Sequence, residues 1–216
     1  PLLREMGVPA TFFVCPGLID EGCWLWNHEA RARLEHLDPT VVARSRESLE
    51  FEAPARGETE IDAIVEGMKG LGLLRRRKVE DSIRKQTVDF EPQPVHRRAY
   101  DVVTWDELRR LDPKLITIGA HTLTHPILPT LDEAAKETEI RESRRRLERV
   151  LGRKVEYFCY PNGERDPEAR AVVADTYEAA VTTVPGTVGV GADVLDLPRI
   201  GACRTRAEMA WRLARP

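Results

Sequence analysis

His121 and His125 stand four residues apart in the stretch GAHTLTHPIL, residues 119–128. An i, i+4 spacing lets two imidazoles point the same way from one turn, and neutral imidazole nitrogen suits Zn²⁺ and similar divalent metals. The same spacing in a loop also suits two partly exposed or core-satisfied histidines. Two ligands do not complete a catalytic metal site, which takes three protein ligands and a water, so the surroundings must decide. The pair directly follows the apolar run LITIG (115–119). That puts it at the carboxyl end of an expected strand, where parallel α/β folds assemble their sites.

Three more runs read as short buried strands: VPATFFVC (8–15), VEYFC (155–159) and EAAVTT (178–183), β-branched or aromatic and bounded by turn residues. Helices with legible ends lie between them. Thr130-Leu131-Asp132-Glu133 reads as a capping box opening a helix that Gly152 stops. On that helix Ile140, Leu147 and Leu151 share one face, and Arg141, Arg145 and Arg149 form an i, i+4 row on another. Asp166-Pro167 gives a cap and first-turn proline for the next helix, and Thr104 caps WDELRRL. Short, nearly continuous apolar strands alternating with single helices predict an α/β fold with parallel pairing, as a barrel or an open sheet. Residues 24–100 break the alternation with high charge and no strand pattern. They are expected to be a helical insertion, lid or inert decoration, within one domain spanning 1–216.

Lys and Arg number 33 against 36 Asp and Glu, a net charge of −3. That balance gives no support to nucleic acid or an anionic membrane as partner. The run Arg75-Arg76-Arg77-Lys78 reads as a solvated helix face. Cys15, Cys23, Cys159 and Cys203 form no C-x-x-C and read as buried free thiols. No apolar run is long enough to span a membrane.

GVPATFFV, HTLTH with its trailing proline, FCYPNG and AAVTT, in this order and at these intervals, resemble the polysaccharide deacetylase family, also called carbohydrate esterase family 4 or the NodB-homology domain. The resemblance covers roughly residues 1–22 and 100–205. It implies an irregular parallel (β/α) barrel, in which H-[ST]-x-x-H, here His121-Thr122-Leu123-Thr124-His125, supplies two ligands to a divalent metal such as zinc. Where many members read F-R-P-P-Y-G, this chain has Phe158-Cys159-Tyr160-Pro161-Asn162-Gly163. Asn162 then occupies the position whose backbone amide helps hold the oxyanion, and Tyr160 and Pro161 fall where substrate is contacted.

The sequence departs from the family pattern in three places. The T-F-D-D-G segment that supplies a general-base Asp and a metal-binding Asp has no match in these residues. PLLREMG reads either as a complete short helix or as the tail of a longer one, so the chain is expected to be a fragment lacking the first strand and inactive alone. Cys159 replaces an arginine that orients the catalytic Asp; Arg199, in LPRI, is a candidate substitute, and a surface salt bridge is its other reading. No histidine follows His125, so the family's late general acid is absent. Asp20 is a candidate for the missing carboxylate.

The resemblance implies a metal-dependent hydrolase removing N-acetyl, or alternatively O-acetyl, groups from a polysaccharide or oligosaccharide such as an exopolysaccharide. A catalytically silent saccharide-binding or scaffolding protein and a hydrolase of small amides on the same fold stand as alternatives. A cell-envelope or periplasmic location would follow from the resemblance alone.

Overall fold

β-Branched and aromatic residues with no room for a long helix make short strands, and the longer amphipathic runs between them make helices. The structure is a computed structural model that describes residues 2–203 and 205–214. In chain order its elements are α1 (Leu2–Met6), β1 (Ala10–Val14), α2 (Pro16–Glu21), α3 (Trp26–Glu35), α4 (Pro39–Ser48), α5 (Glu60–Lys69), α6 (Leu73–Gln86), α7 (Pro94–Tyr100), α8 (Trp105–Arg110), β2 (Ile116–Ala120), α9 (Glu133–Leu151), β3 (Tyr157–Cys159), α10 (Pro167–Thr176), β4 (Ala179–Pro185), β5 (Leu197–Arg199) and α11 (Arg206–Ala214). By their contacts they form two units, residues 1–19 with 104–216, and residues 20–103.

The first unit holds a five-stranded sheet in the order β1-β2-β3-β4-β5, with every neighbouring pair parallel. Strand order follows chain order without reversal, the winding of a barrel rather than of a doubly wound sheet, which has a switch point. The β2 side chains Ile116, Ile118 and Ala120 are buried while Thr117 is exposed. Phe158 of β3 and Ala180 of β4 are buried too, and Ile140 and Leu147 of α9 are fully buried. Helix α10 starts at Asp166, which accepts the Ala169 N–H, and α8 at the reciprocal Thr104–Glu107 capping box.

One expectation changes here. Helix α9 is capped by Asp132, which accepts the Ala135 N–H at 2.8 Å. Thr130 instead closes a 3₁₀ turn, its hydroxyl donating to the Ile127 carbonyl at 2.7 Å. Gly152 ends α9 in the left-handed region, at φ +65°, as read. Strand β5, three residues with a proline at the centre, carried no alternation to read.

The second unit contains α3–α7 and, among the described residues, no strand. Trp26, Leu34, Val42, Ile64, Met68, Val79 and Ile83 form its core. Arg76 does not lie on a solvated face. It is buried, paired with Glu80 at 2.9 Å and set over the Trp26 ring at 4.7 Å, because a guanidinium stacks on an indole while its partner keeps it paired. All four cysteines are free, but only Cys15 and Cys159 are buried; Cys23 is exposed and Cys203 intermediate. Among the described residues no helix is long and apolar enough to cross a membrane.

Candidate metal centre

β2 ends at Ala120, and the ladder continues one residue further: the His121 N–H donates to the Val14 carbonyl at the end of β1 at 3.0 Å. The His121 carbonyl accepts the Cys15 thiol at 2.9 Å and the Thr122 hydroxyl at 2.5 Å. His121 therefore leaves the sheet with its backbone fixed, and the chain turns at once. Thr122 is fully buried at φ +64° and His125 stands at φ +61°. A β-branched residue in the left-handed region is strained and persists only where its surroundings over-determine it. The Thr122 hydroxyl also accepts the His125 N–H at 3.0 Å, closing the turn on itself.

That turn brings the two imidazoles together, with ring centroids 4.7 Å apart and planes at 72°. His121 Nδ1 lies 2.6 Å from the Cys159 carbonyl oxygen at the end of β3. A carbonyl can only accept, so Nδ1 carries the proton and the neutral ring presents its lone pair on Nε2. Burial holds the His121 pKa down to about 4; the Cys159 carbonyl opposes that shift and the positive charge of Arg199 adds to it. The ring is thus a neutral donor across the physiological range, the state a metal ligand needs.

Neighbouring backbone fits closely around the turn. The Gly17 N–H donates to the Leu123 carbonyl at 2.9 Å, and a Cβ at position 17 would stand 2.7 Å from that oxygen. On the other side the Glu139 carboxylate of α9 accepts the Leu123 and Thr124 amides. Sequence reading missed Glu139; the usable signal was a tight loop before Pro126 whose amides had no evident acceptor.

Asn162 also sits in the left-handed region, at φ +56°, after β3. Its carbonyl accepts the Thr183 hydroxyl at 3.0 Å. Three of the four described non-glycine residues with positive φ, Thr122, His125 and Asn162, thus belong to the loops after β2 and β3. Arg199 donates to the Thr182 carbonyl and makes no ion pair among the described residues. Its charge nonetheless acts on His121 and on Cys159, whose thiol burial pushes up and Arg199 pulls back.

Tyr160 is fully buried, its ring edge-on to Phe158 at 5.3 Å, and Pro161 is buried as well. These are the two residues for which the resemblance implies substrate contact, and both side chains are buried. Asp20 lies exposed on the last turn of α2. Among the described residues no group of three or more His, Cys, Asp or Glu could hold a metal ion. His121 fits as a neutral donor with the His125 ring beside it, and the described residues supply no third ligand to the pair.

A family model for polysaccharide deacetylase matches residues 1–179. The chain belongs to the polysaccharide deacetylase family. Solved structures to which the chain is similar include a Streptococcus pyogenes deacetylase, PplD, in complex with acetate, at 18% identity and a TM-score of 0.45, covering 89% of this chain and 91% of that one. A polysaccharide deacetylase from Bacillus cereus is 22% identical, with a TM-score of 0.42, over 58% of this chain and 43% of that chain. A CE4 family pseudoenzyme from Bacillus anthracis is 22% identical over 37% of this chain and 29% of that chain, with a TM-score of 0.34. The chain therefore spans less than half the length of the Bacillus cereus protein it matches. No curated protein matches it.

Proposed function

We propose that this polysaccharide deacetylase family chain carries two ligands of a metal-dependent N-deacetylase centre acting on an acetylated polysaccharide or oligosaccharide, with zinc as the metal. One observation carries the reading: two imidazoles held 4.7 Å apart by a strained turn, one of them locked into its neutral, Nε2-donating form. A divalent metal bound there supplies a Lewis acid for an acetyl carbonyl and lowers the pKa of water. His121 and His125 are its holders, and the Cys159 carbonyl orients His121 from behind. The Asn162 N–H is the backbone donor for negative charge developing on the acetyl oxygen, a role that survives a change of side chain. Arg199 supplies positive charge beside His121.

Titration with zinc tests the ligands. Wild-type protein binds one equivalent, and His121→Ala and His125→Ala each abolish that binding; unaltered zinc binding by both variants would remove the centre. Acetate release from N-acetylglucosamine oligomers, in the longest product of the reading frame and with zinc added or chelated, tests the activity. O-acetylated oligomers run alongside separate the two ester and amide chemistries. A second reading, a catalytically silent saccharide-binding protein, rests on the lack of a three-ligand cluster among the described residues. Oligomer binding without acetate release in that longest product would establish it.

A further inference from the structure

Glu139 gives its carboxylate wholly to the histidine turn. Oε2 accepts the Leu123 N–H at 2.8 Å and the Thr124 N–H at 2.9 Å, and Oε1 accepts the Thr124 hydroxyl at 2.6 Å. Leu123 and Thr124 are the two residues between the left-handed positions Thr122 and His125. With Gly17 on the Leu123 carbonyl, both backbone polar groups of Leu123 are gripped, one from α2 and one from α9. Helix α9 is anchored in turn by fully buried Ile140, the next residue. A carboxylate accepting two adjacent amides specifies the path of that peptide far more narrowly than one hydrogen bond does, since both N–H vectors must converge on it.

We propose that Glu139 is a positioning residue of the histidine pair, setting the separation of the two imidazoles through Leu123 and Thr124. Its effect on metal affinity rests on the metal reading above; its effect on the turn does not. Glu139→Ala leaves two amides and a hydroxyl without their acceptor, and the turn relaxes from its strained path. Glu139→Gln keeps an amide oxygen that can accept both N–H groups, so it restores most of the geometry. Partners that orient metal-ligating groups are typically worth ~10- to 100-fold in metal affinity.

The test pairs hydrogen exchange at the Leu123 and Thr124 amides with zinc titration, in wild type, Glu139→Ala, Glu139→Gln and the control Glu137→Ala, which removes only the exposed pairing to Arg141. Expected are loss of protection at the two amides by ~10-fold or more and ~10- to 100-fold weaker zinc binding in Glu139→Ala. Glu139→Gln should recover both, and thermal midpoints report any general loss of structure. Wild-type protection in Glu139→Ala, or weaker zinc binding in Glu137→Ala to the same degree, would overturn the proposal. Absence of zinc binding by wild type defeats the metal reading alone, while the exchange data still decide the role of Glu139. Should Glu139→Ala not fold, Glu139→Asp keeps the charge but retracts it by one methylene, and it should lose protection likewise.

Discussion

Gly17→Ala probes the turn from the side opposite Glu139. A Cβ there would meet the Leu123 carbonyl oxygen at 2.7 Å, the Thr124 Cγ2 at 3.1 Å and the Leu123 Cγ at 3.2 Å. Ordinary contact begins near 3.4 Å, so the nearest atom must retreat by about 0.7 Å, and that atom is backbone. It cannot retreat freely, because Glu139 holds the same residue by its N–H. Overpacking of this kind costs about 1–3 kcal/mol, and loss of the Gly17 to Leu123 hydrogen bond adds about 1. The expected destabilisation is therefore about 2–4 kcal/mol, a fall of roughly 5–15 °C in thermal midpoint for a chain of this size. Gly189→Ala is the matched control in the same unit, since a Cβ there meets nothing within 4 Å. Calorimetry and zinc titration on both variants make the comparison, and zinc binding should weaken only in Gly17→Ala. Equal midpoints and equal zinc affinities in the two variants would refute the account of the turn as gripped from both sides.

Three further outcomes are expected. His121 has a folded pKa near 4, below the value of about 6.5 for an exposed histidine, so the unfolded chain binds more protons between those values. Its contribution to stability is complete above about pH 6.5 and lost as pH falls toward 4, at most roughly 3 kcal/mol, and urea midpoints in chelator should show that slope in wild type but not in His121→Gln. Tyr160 buries its hydroxyl with no hydrogen-bond partner among the described residues, so Tyr160→Phe should be neutral or stabilising by up to about 1 kcal/mol; a loss above 1 kcal/mol in urea unfolding contradicts this. Arg76→Ala leaves a largely buried Glu80 with only Arg84, at 3.9 Å, and uncovers Trp26, so it should destabilise the helical unit by about 2–3 kcal/mol in the same assay, and Arg76→Met, which keeps the stem and its packing, by less.

What the sequence made legible was periodic or local. Continuous apolar runs located β1 to β4 to within two residues, although the burial expected of them fails along β1, which has no buried residue, and at the exposed end of β4. Reciprocal capping at Thr104 and Glu107 and the glycine stop at 152 depend on neighbours a few residues away and were equally readable. The Thr130 cap was misplaced because Asp132, two residues on, is an equally good acceptor, and the preceding 3₁₀ turn decides between them. The role of Arg76 could not be read, because it comes from Trp26, fifty residues earlier; the loop before Pro126 signalled a need for an acceptor, but only the folded chain brings Glu139 of α9 beside it. The histidine spacing was visible, but not the inversion of backbone at Thr122 and His125 that makes the rings converge. The place of Tyr160 in the motif was visible, but not the packing of its ring on Phe158.

The parallel pairing of β1 with β2 joins residues 106 positions apart in the chain. During synthesis at about 5–20 residues per second, β1 leaves the ribosome roughly 5–20 s before its partner strand exists. Every residue of the 20–103 unit emerges in that interval, and its core is made wholly from those residues, so it can fold while the sheet still waits. The nascent chain therefore carries a finished helical body behind the ATFFV strand, whose β2-facing edge is open to other chains until residue 120 appears. The histidine turn, built on the last rungs of that ladder, cannot form before the helical unit has left the ribosome.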